Sequence, residues 1–144
     1  MKDRIVAVET EYGIESSDGL QEGFELIIQA VRGLAGKGDY RRFISNGGLV
    51  YKDPLAHPEY AAPECVGPTA ASLYDLAGQR IMHSMFRSSG CRLHRLNRDK
   101  AGNYFGSHEN YSVEPGLMTM RHNIFMSFMV PFLVTRQIFA GAGY

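Results

Sequence analysis

From Arg4 to Tyr12 the apolar run Ile5–Val8 passes into Glu9-Thr10-Glu11-Tyr12, and β-branched side chains favour an extended strand, with its side-to-side alternation, closed by Gly13. The alternation places Ile5, Ala7, Glu9 and Glu11 on one face, with Val6, Val8, Thr10 and Tyr12 on the other. Two carboxylates two residues apart thus project from one side, about 7 Å apart along the strand. The period then changes. Leu20, Phe24, Ile27, Ile28, Val31 and Leu34 recur as one face of a helix, started by Ser17 or Asp18 and ended by Gly36 or Gly38. Phe43–Asp53 reads as a hairpin, because Asn46-Gly47-Gly48 supplies the positive-φ residues of a tight turn. Leu49, Tyr51 and Asp53 share a face before Pro54 stops the ladder, and His57-Pro58-Glu59-Tyr60 begins another extended segment.

Pro68 suits the first turn of a second helix, with Leu73, Leu76, Ala77, Ile81, Met85 and Phe86 as its apolar stripe and Ser88-Ser89-Gly90 as its end. Cys91–Leu96 and Tyr104–Val113 alternate as strands around a polar loop from Asn97 to Asn103. Met118–Ala140 is helical in period, with Pro131 expected to kink or divide it and its methionines read as core filler. The glycine-rich stretch Gly141-Ala142-Gly143 after an apolar helix reads as a connection. The expectation is the N-terminal part of a larger protein or a truncated copy.

Composition narrows the function classes. The 144 residues suffice for one domain, and 44% hydrophobic with 21% charged residues argues against disorder. A net charge of zero gives no excess of cations to track phosphates, so no nucleic-acid partner is expected. The longest apolar stretch, Ile124–Val134, is too short to cross a bilayer and contains Ser127 and Pro131. Neither a signal-peptide core nor a membrane partner is expected. Two cysteines, Cys65 and Cys91, make neither a disulfide framework nor a zinc site, and read as buried thiols in a cytoplasmic protein.

Three segments concentrate acids and hydrogen-bonding groups on strands: Glu9 with Glu11, Tyr51 with Asp53 and Glu59, and His108 with Glu109 and Asn110. Carboxylates grouped on one surface repel unless a cation neutralises them, and their hard oxygens suit magnesium, which in turn holds phosphate. Each residue also has an ordinary reading. Glu9, Glu11 and Glu59 fit a solvated strand face, Tyr51 a packing residue, Asp53 a turn former, His108 a core histidine and His57 a turn residue. No phosphate-cradling Gly-x-x-x-x-Gly-Lys-Ser/Thr and no dinucleotide-type glycine pattern occurs. The residues alone lead to an acid-lined sheet with magnesium as candidate ligand.

The segment Val8-Glu9-Thr10-Glu11-Tyr12-Gly13-Ile14 resembles the opening motif of the Pup ligase and depupylase family. The likeness continues through Asn46-Gly47-Gly48, Tyr51, Asp53, His57-Pro58-Glu59-Tyr60 and Glu64-Cys65. It resumes at Asp99, Ala101-Gly102-Asn103, Gly106 and His108-Glu109-Asn110-Tyr111, then at Pro131–Gln137 and Gly141-Ala142-Gly143. It implies an α+β fold, a partial glutamine-synthetase-like antiparallel sheet backed by helices, that holds ATP and Mg2+. By the same resemblance Glu9, Tyr51, Glu59 and Glu109 are expected at the metal. Glu11, His108, Asn110 and Arg136 are expected at the nucleotide, and Asp53 as the catalytic aspartate.

The implied reaction joins the C-terminal glutamate side chain of Pup, a small protein modifier, to lysines of substrate proteins bound for the proteasome. ATP phosphorylates that carboxylate and the lysine attacks the acyl phosphate, with Asp53 accepting a proton or orienting the amine. Two alternatives stand beside it. One is a Pup deamidase or depupylase, which Ala62-Pro63-Glu64-Cys65 resembles. The short interval between the first glutamates and the hairpin instead resembles the ligase. The other is a non-catalytic, truncated homologue acting as a binding module. Leu49 departs from the family pattern, which has an arginine there.

Overall fold

The computed structural model describes residues 4–15, 40–87, 91–119 and 122–140. The expected helix Leu20–Leu34, its caps and the closing glycines lie outside the described residues. The described elements are β1 (Ile5–Glu11), β2 (Gly13–Glu15), β3 (Arg41–Phe43), β4 (Leu49–Lys52), β5 (Pro58–Ala61), β6 (Cys65–Val66), α1 (Gly67–Arg87), β7 (Arg92–His94), β8 (Ser107–Tyr111), α2 (Pro115–Thr119) and α3 (His122–Ala140). The class is α+β. No helix among the described residues is long and apolar enough to cross a membrane.

The main sheet is antiparallel in every pairing, and β1 lies inside it. One edge of β1 pairs with β5 and β6, while the other pairs with β8. The hairpin β3–β4 extends the sheet beyond β5. Its turn forms as Asn46-Gly47-Gly48 requires: Gly47 takes φ 84°, and the Asn46 side chain accepts the Gly48 N–H at 2.9 Å. Gly13 does not end the first extended run. It opens β2, which pairs with β7 as a separate two-stranded ribbon. A side chain at Gly13 would meet the Phe105 ring, with a Cβ only 2.9 Å from Cζ, so the position admits no more than hydrogen.

Helix α1 covers the face of the sheet that carries Thr10 and Tyr60. Its buried residues are Ala71, Gly78, Met82 and Phe86, whereas Leu73 and Leu76 are 63% and 54% exposed. The stripe of leucines is therefore not the packed face. Shape decides the face here: the Tyr60 ring fills the space that Gly78 leaves empty, while Met82 and Phe86 enter the core. The core gathers Tyr12, Val50, Tyr60, Ala62, Met82, Phe86, Cys91 and Leu93. Cys65 and Cys91 are buried, as expected, and form no disulfide with each other. Pro131 lies within α3 instead of dividing it, and Met118 and Met126, expected as core filler, are exposed. Among the described residues α3 keeps most of its apolar side chains in the open.

Tyr12 is fully buried, and among the described residues its hydroxyl has no hydrogen-bond partner. Burial pushes this phenol up to about 12. Tyr12→Phe removes an unsatisfied polar atom without changing shape, so it is expected to stabilise the fold by about 1 kcal/mol. Above the ordinary phenol range the unfolded chain releases a proton that the native state retains. Stability should then fall as pH rises from about 10 to about 12, and less steeply in the variant. Thermal unfolding at stepped alkaline pH checks both; equal slopes in the two proteins would refute the assignment.

Candidate metal and nucleotide site

The register of the main sheet arranges the acids in two rows across one face. One row runs Phe43, Leu49, Ala61, Glu9 and His108, each opposite the next on adjoining strands. The neighbouring row runs Arg41, Tyr51, Glu59 and Glu11. Residues directly opposite in an antiparallel pair share a face, so the neighbouring strands β4 and β5 and the sequence-distant β1 and β8 bring their polar side chains together.

Two clusters result. The ligand atoms of Glu9, Glu59 and His108 lie within 4.8 Å of one another, as do those of Glu11, Asp53 and His57. In the first, His108 Nδ1 stands 3.2 Å from Glu9 Oε2 and 3.9 Å from Glu59 Oε1. Asn110 Nδ2 donates to Glu9 Oε1 at 3.2 Å. Tyr51 hydrogen-bonds Glu59 from the adjoining strand. In the second, the Gly106 N–H donates to Glu11 Oε2 at 2.6 Å, and a Cβ on Gly106 would come within 2.7 Å of Glu11 Oε1. Only glycine lets the chain close on that carboxylate.

Glu59 is 3% exposed and Asp53 4%, unusual positions for carboxylates. Burial pushes Glu59 above the usual carboxylate range, and the charges of Glu11 and Glu9 push the same way. Tyr51 is driven well above the ordinary phenol value, first by burial and then by its hydrogen bond to Glu59. Its hydroxyl is therefore a neutral oxygen beside two glutamates. A buried carboxylate flanked by others of like charge is costly without a cation. The set offers hard oxygens from Glu9, Glu59 and Tyr51, which fits magnesium. The His108 nitrogen suits that ion less, and its place beside Glu9 makes it an orienting partner.

Two candidates stand elsewhere. Glu109 lies opposite Val8, on the other face of β8 from His108 and Asn110, because neighbours along a strand alternate sides. It accepts a hydrogen bond from Tyr111 and forms an ion pair with Arg136. The structure therefore does not bring Glu109 into the cluster of Glu9 and Glu59, and it engages Arg136 with Glu109. His57, expected as a turn residue, instead sets its ring against Asp53 and Glu11. It lies in the loop after Asp53, where no periodicity reveals which group its ring meets.

A model of the Pup-ligase protein family matches residues 21–144. The chain belongs to this family. A Pup–protein ligase of Bifidobacterium animalis subsp. lactis (strain AD011) is 34% identical over 160 residues, covering 97% of this chain and 31% of that protein. A Pup–protein ligase of Nocardioides sp. is likewise 34% identical, over 99% of the chain and 34% of its own length. This Pup-ligase family chain thus spans about a third of the length of these relatives. A solved structure of the complex between Prokaryotic Ubiquitin-like Protein Pup and its ligase PafA matches with a TM-score of 0.73 and 30% identity. The match covers 94% of this chain and 29% of that one. The α+β sheet backed by helices, a partial glutamine-synthetase-like fold, is the architecture expected from the motifs.

Proposed function

We propose that this sheet face is the ATP- and magnesium-binding part of a ligase that joins the C-terminal glutamate side chain of Pup to substrate lysines. The reading places the protein in the cytoplasm, marking proteins for the proteasome. The observation that carries it is the convergence of Glu9, Tyr51, Glu59 and Asp53 on one face, in a chain of this family. Glu9, Glu59 and Tyr51 would hold Mg2+, with His108 and Asn110 fixing Glu9 by hydrogen bonds. When bound, magnesium and ATP supply charge neutralisation and a transferable phosphoryl group for activating the Pup carboxylate. Glu11, held by the Gly106 N–H, lines the same face.

A lysine ammonium has no lone pair, so it must lose a proton before it attacks. Asp53 is the group suited to accept it: a carboxylate at the end of β4, buried, with Glu11 and His57 alongside. Asp53→Asn keeps the shape and removes the base. Incubation with Pup, ATP, magnesium and a lysine-bearing acceptor should give a Pup–acceptor conjugate, read as a mass increase on a denaturing gel. The variant should lose at least about 10²-fold in conjugation rate while still binding magnesium–nucleotide. Cleavage of a preformed conjugate without new linkage would favour a depupylase. Nucleotide binding with neither reaction would favour a binding module.

A further inference from the structure

We propose that His57 is a positioning residue that clamps Asp53 and Glu11 into one rigid unit, with its ring Nδ1 carrying the proton. The catalytic meaning of this clamp rests on the ligase reading above; the geometry of the clamp does not.

His57 occupies both oxygens of Asp53. Its backbone N–H donates to Asp53 Oδ1 at 2.6 Å, and its Nδ1 lies 3.2 Å from Asp53 Oδ2. The same Nδ1 lies 3.2 Å from Glu11 Oε2. Both facing atoms are carboxylate oxygens, which only accept. The arrangement is favourable when Nδ1 bears hydrogen and shares it between them. Asp53 and Glu11 come from different strands and repel each other, so a donor between them sets their spacing as well as their orientation.

The ring is itself held. It packs against Phe105 with centroids 4.9 Å apart and planes inclined at 52°. The loop that presents it is closed by Asp53 N–H to His57 O at 3.0 Å and Ala56 N–H to Asp53 O at 3.1 Å. Ala56 sits at φ 72° within it, a left-handed conformation that a non-glycine residue seldom adopts. A strained turn that brings one residue's backbone and ring onto the same carboxylate fixes the plane of that carboxylate. A proton acceptor misplaced by about 1 Å loses on the order of 10²-fold in rate.

Two substitutions separate clamping from packing. His57→Asn retains a side-chain N–H near the Nδ1 position and loses the ring; His57→Phe retains a ring against Phe105 and loses the donor. In the conjugation assay, His57→Phe should lower kcat about 10²-fold with KM for ATP within about threefold, whereas His57→Asn should stay within about tenfold of wild type. A phenylalanine variant as fast as wild type, or faster than the asparagine variant, would overturn the proposal and make His57 a packing residue. A second measurement is independent of the reaction. Nitrogen-15 spectra of the wild-type imidazole should show a ring that bears hydrogen at Nδ1. Asp53→Asn should shift that signal. A ring protonated at Nε2 alone would overturn the clamp, whatever the protein does. Absence of conjugation by wild type with the Nδ1–H signal present would sink the ligase reading and leave the clamp standing.

Discussion

Glu59→Gln is expected to make the metal-free protein more stable while abolishing its response to magnesium–nucleotide. Glutamine keeps the shape and can still accept the Tyr51 hydroxyl, but it carries no charge into a position only 3% exposed and flanked by Glu9 and Glu11. Removing a buried charge that lacks its cation should raise stability by about 1 kcal/mol. The same change deletes one of the hard oxygens that would hold Mg2+. Affinity for magnesium–nucleotide should fall at least about 10²-fold. Thermal unfolding in chelator, then with magnesium and ATP, reads both effects. Wild type should gain stability on addition and the variant should not, since a ligand stabilises only the state it binds. A variant that kept the full metal-dependent shift would remove Glu59 from the ligand set. A variant less stable in chelator would show that its charge is already compensated.

Gly78→Ala is expected to be among the most damaging single-methyl additions in the chain. The new Cβ would lie 2.0 Å from Tyr60 Cε1 and 2.2 Å from Cδ1. Tyr60 has nowhere to go. It is fully buried, its hydroxyl accepts the Asn46 amide at 3.0 Å, and its far edge lies against Gly48, where a Cβ would stand 2.6 Å from Cε2. Alanine favours a helix over glycine by about 1 kcal/mol, but overpacking on this scale costs about 3 kcal/mol or more. The net loss should exceed about 2 kcal/mol, read as a lowered urea midpoint at unchanged slope. Tyr60 adjoins Glu59 on β5, so α1 backing away should also loosen the magnesium response. Unchanged or improved stability would show that the helix can move off the sheet at little cost.

These expectations depend on features of unequal legibility in the sequence. The hairpin was plain because Asn46-Gly47-Gly48 is a local signal, and turn chemistry acts within four residues. That Glu9 and Glu11 share a side follows from strand alternation alone. Which strands would lie next to them does not, because pairing of β1 with β5 and β8 is settled by long-range packing. The resemblance supplied Tyr51, Asp53 and Glu59 as companions, and the register shows how they meet. Glu109 adjoins His108 in the motif, yet alternation turns it to the opposite face. In α1 Phe86 and Met85 of the expected stripe reach the core while Leu73 and Leu76 do not, since hydrophobicity marks what can be buried and the Tyr60 ring decides what is. His57 stands in the motif His57-Pro58-Glu59-Tyr60, but a loop has no period to show which groups its ring meets.

The central position of β1 also governs the order in which the molecule assembles. The meander β3–β4–β5 joins neighbours in sequence and closes small loops, whereas Glu9 and His108 meet across 99 residues. Loop-closure entropy delays such distant pairings, so the meander should form early and β8 should dock late. A nascent chain still lacking β8 on the ribosome already holds Glu9, Tyr51 and Glu59 but not the histidine that steadies the first of them. On the proposed reading, the acid cluster is therefore completed only when the region around His108 zips onto β1, after the meander has formed.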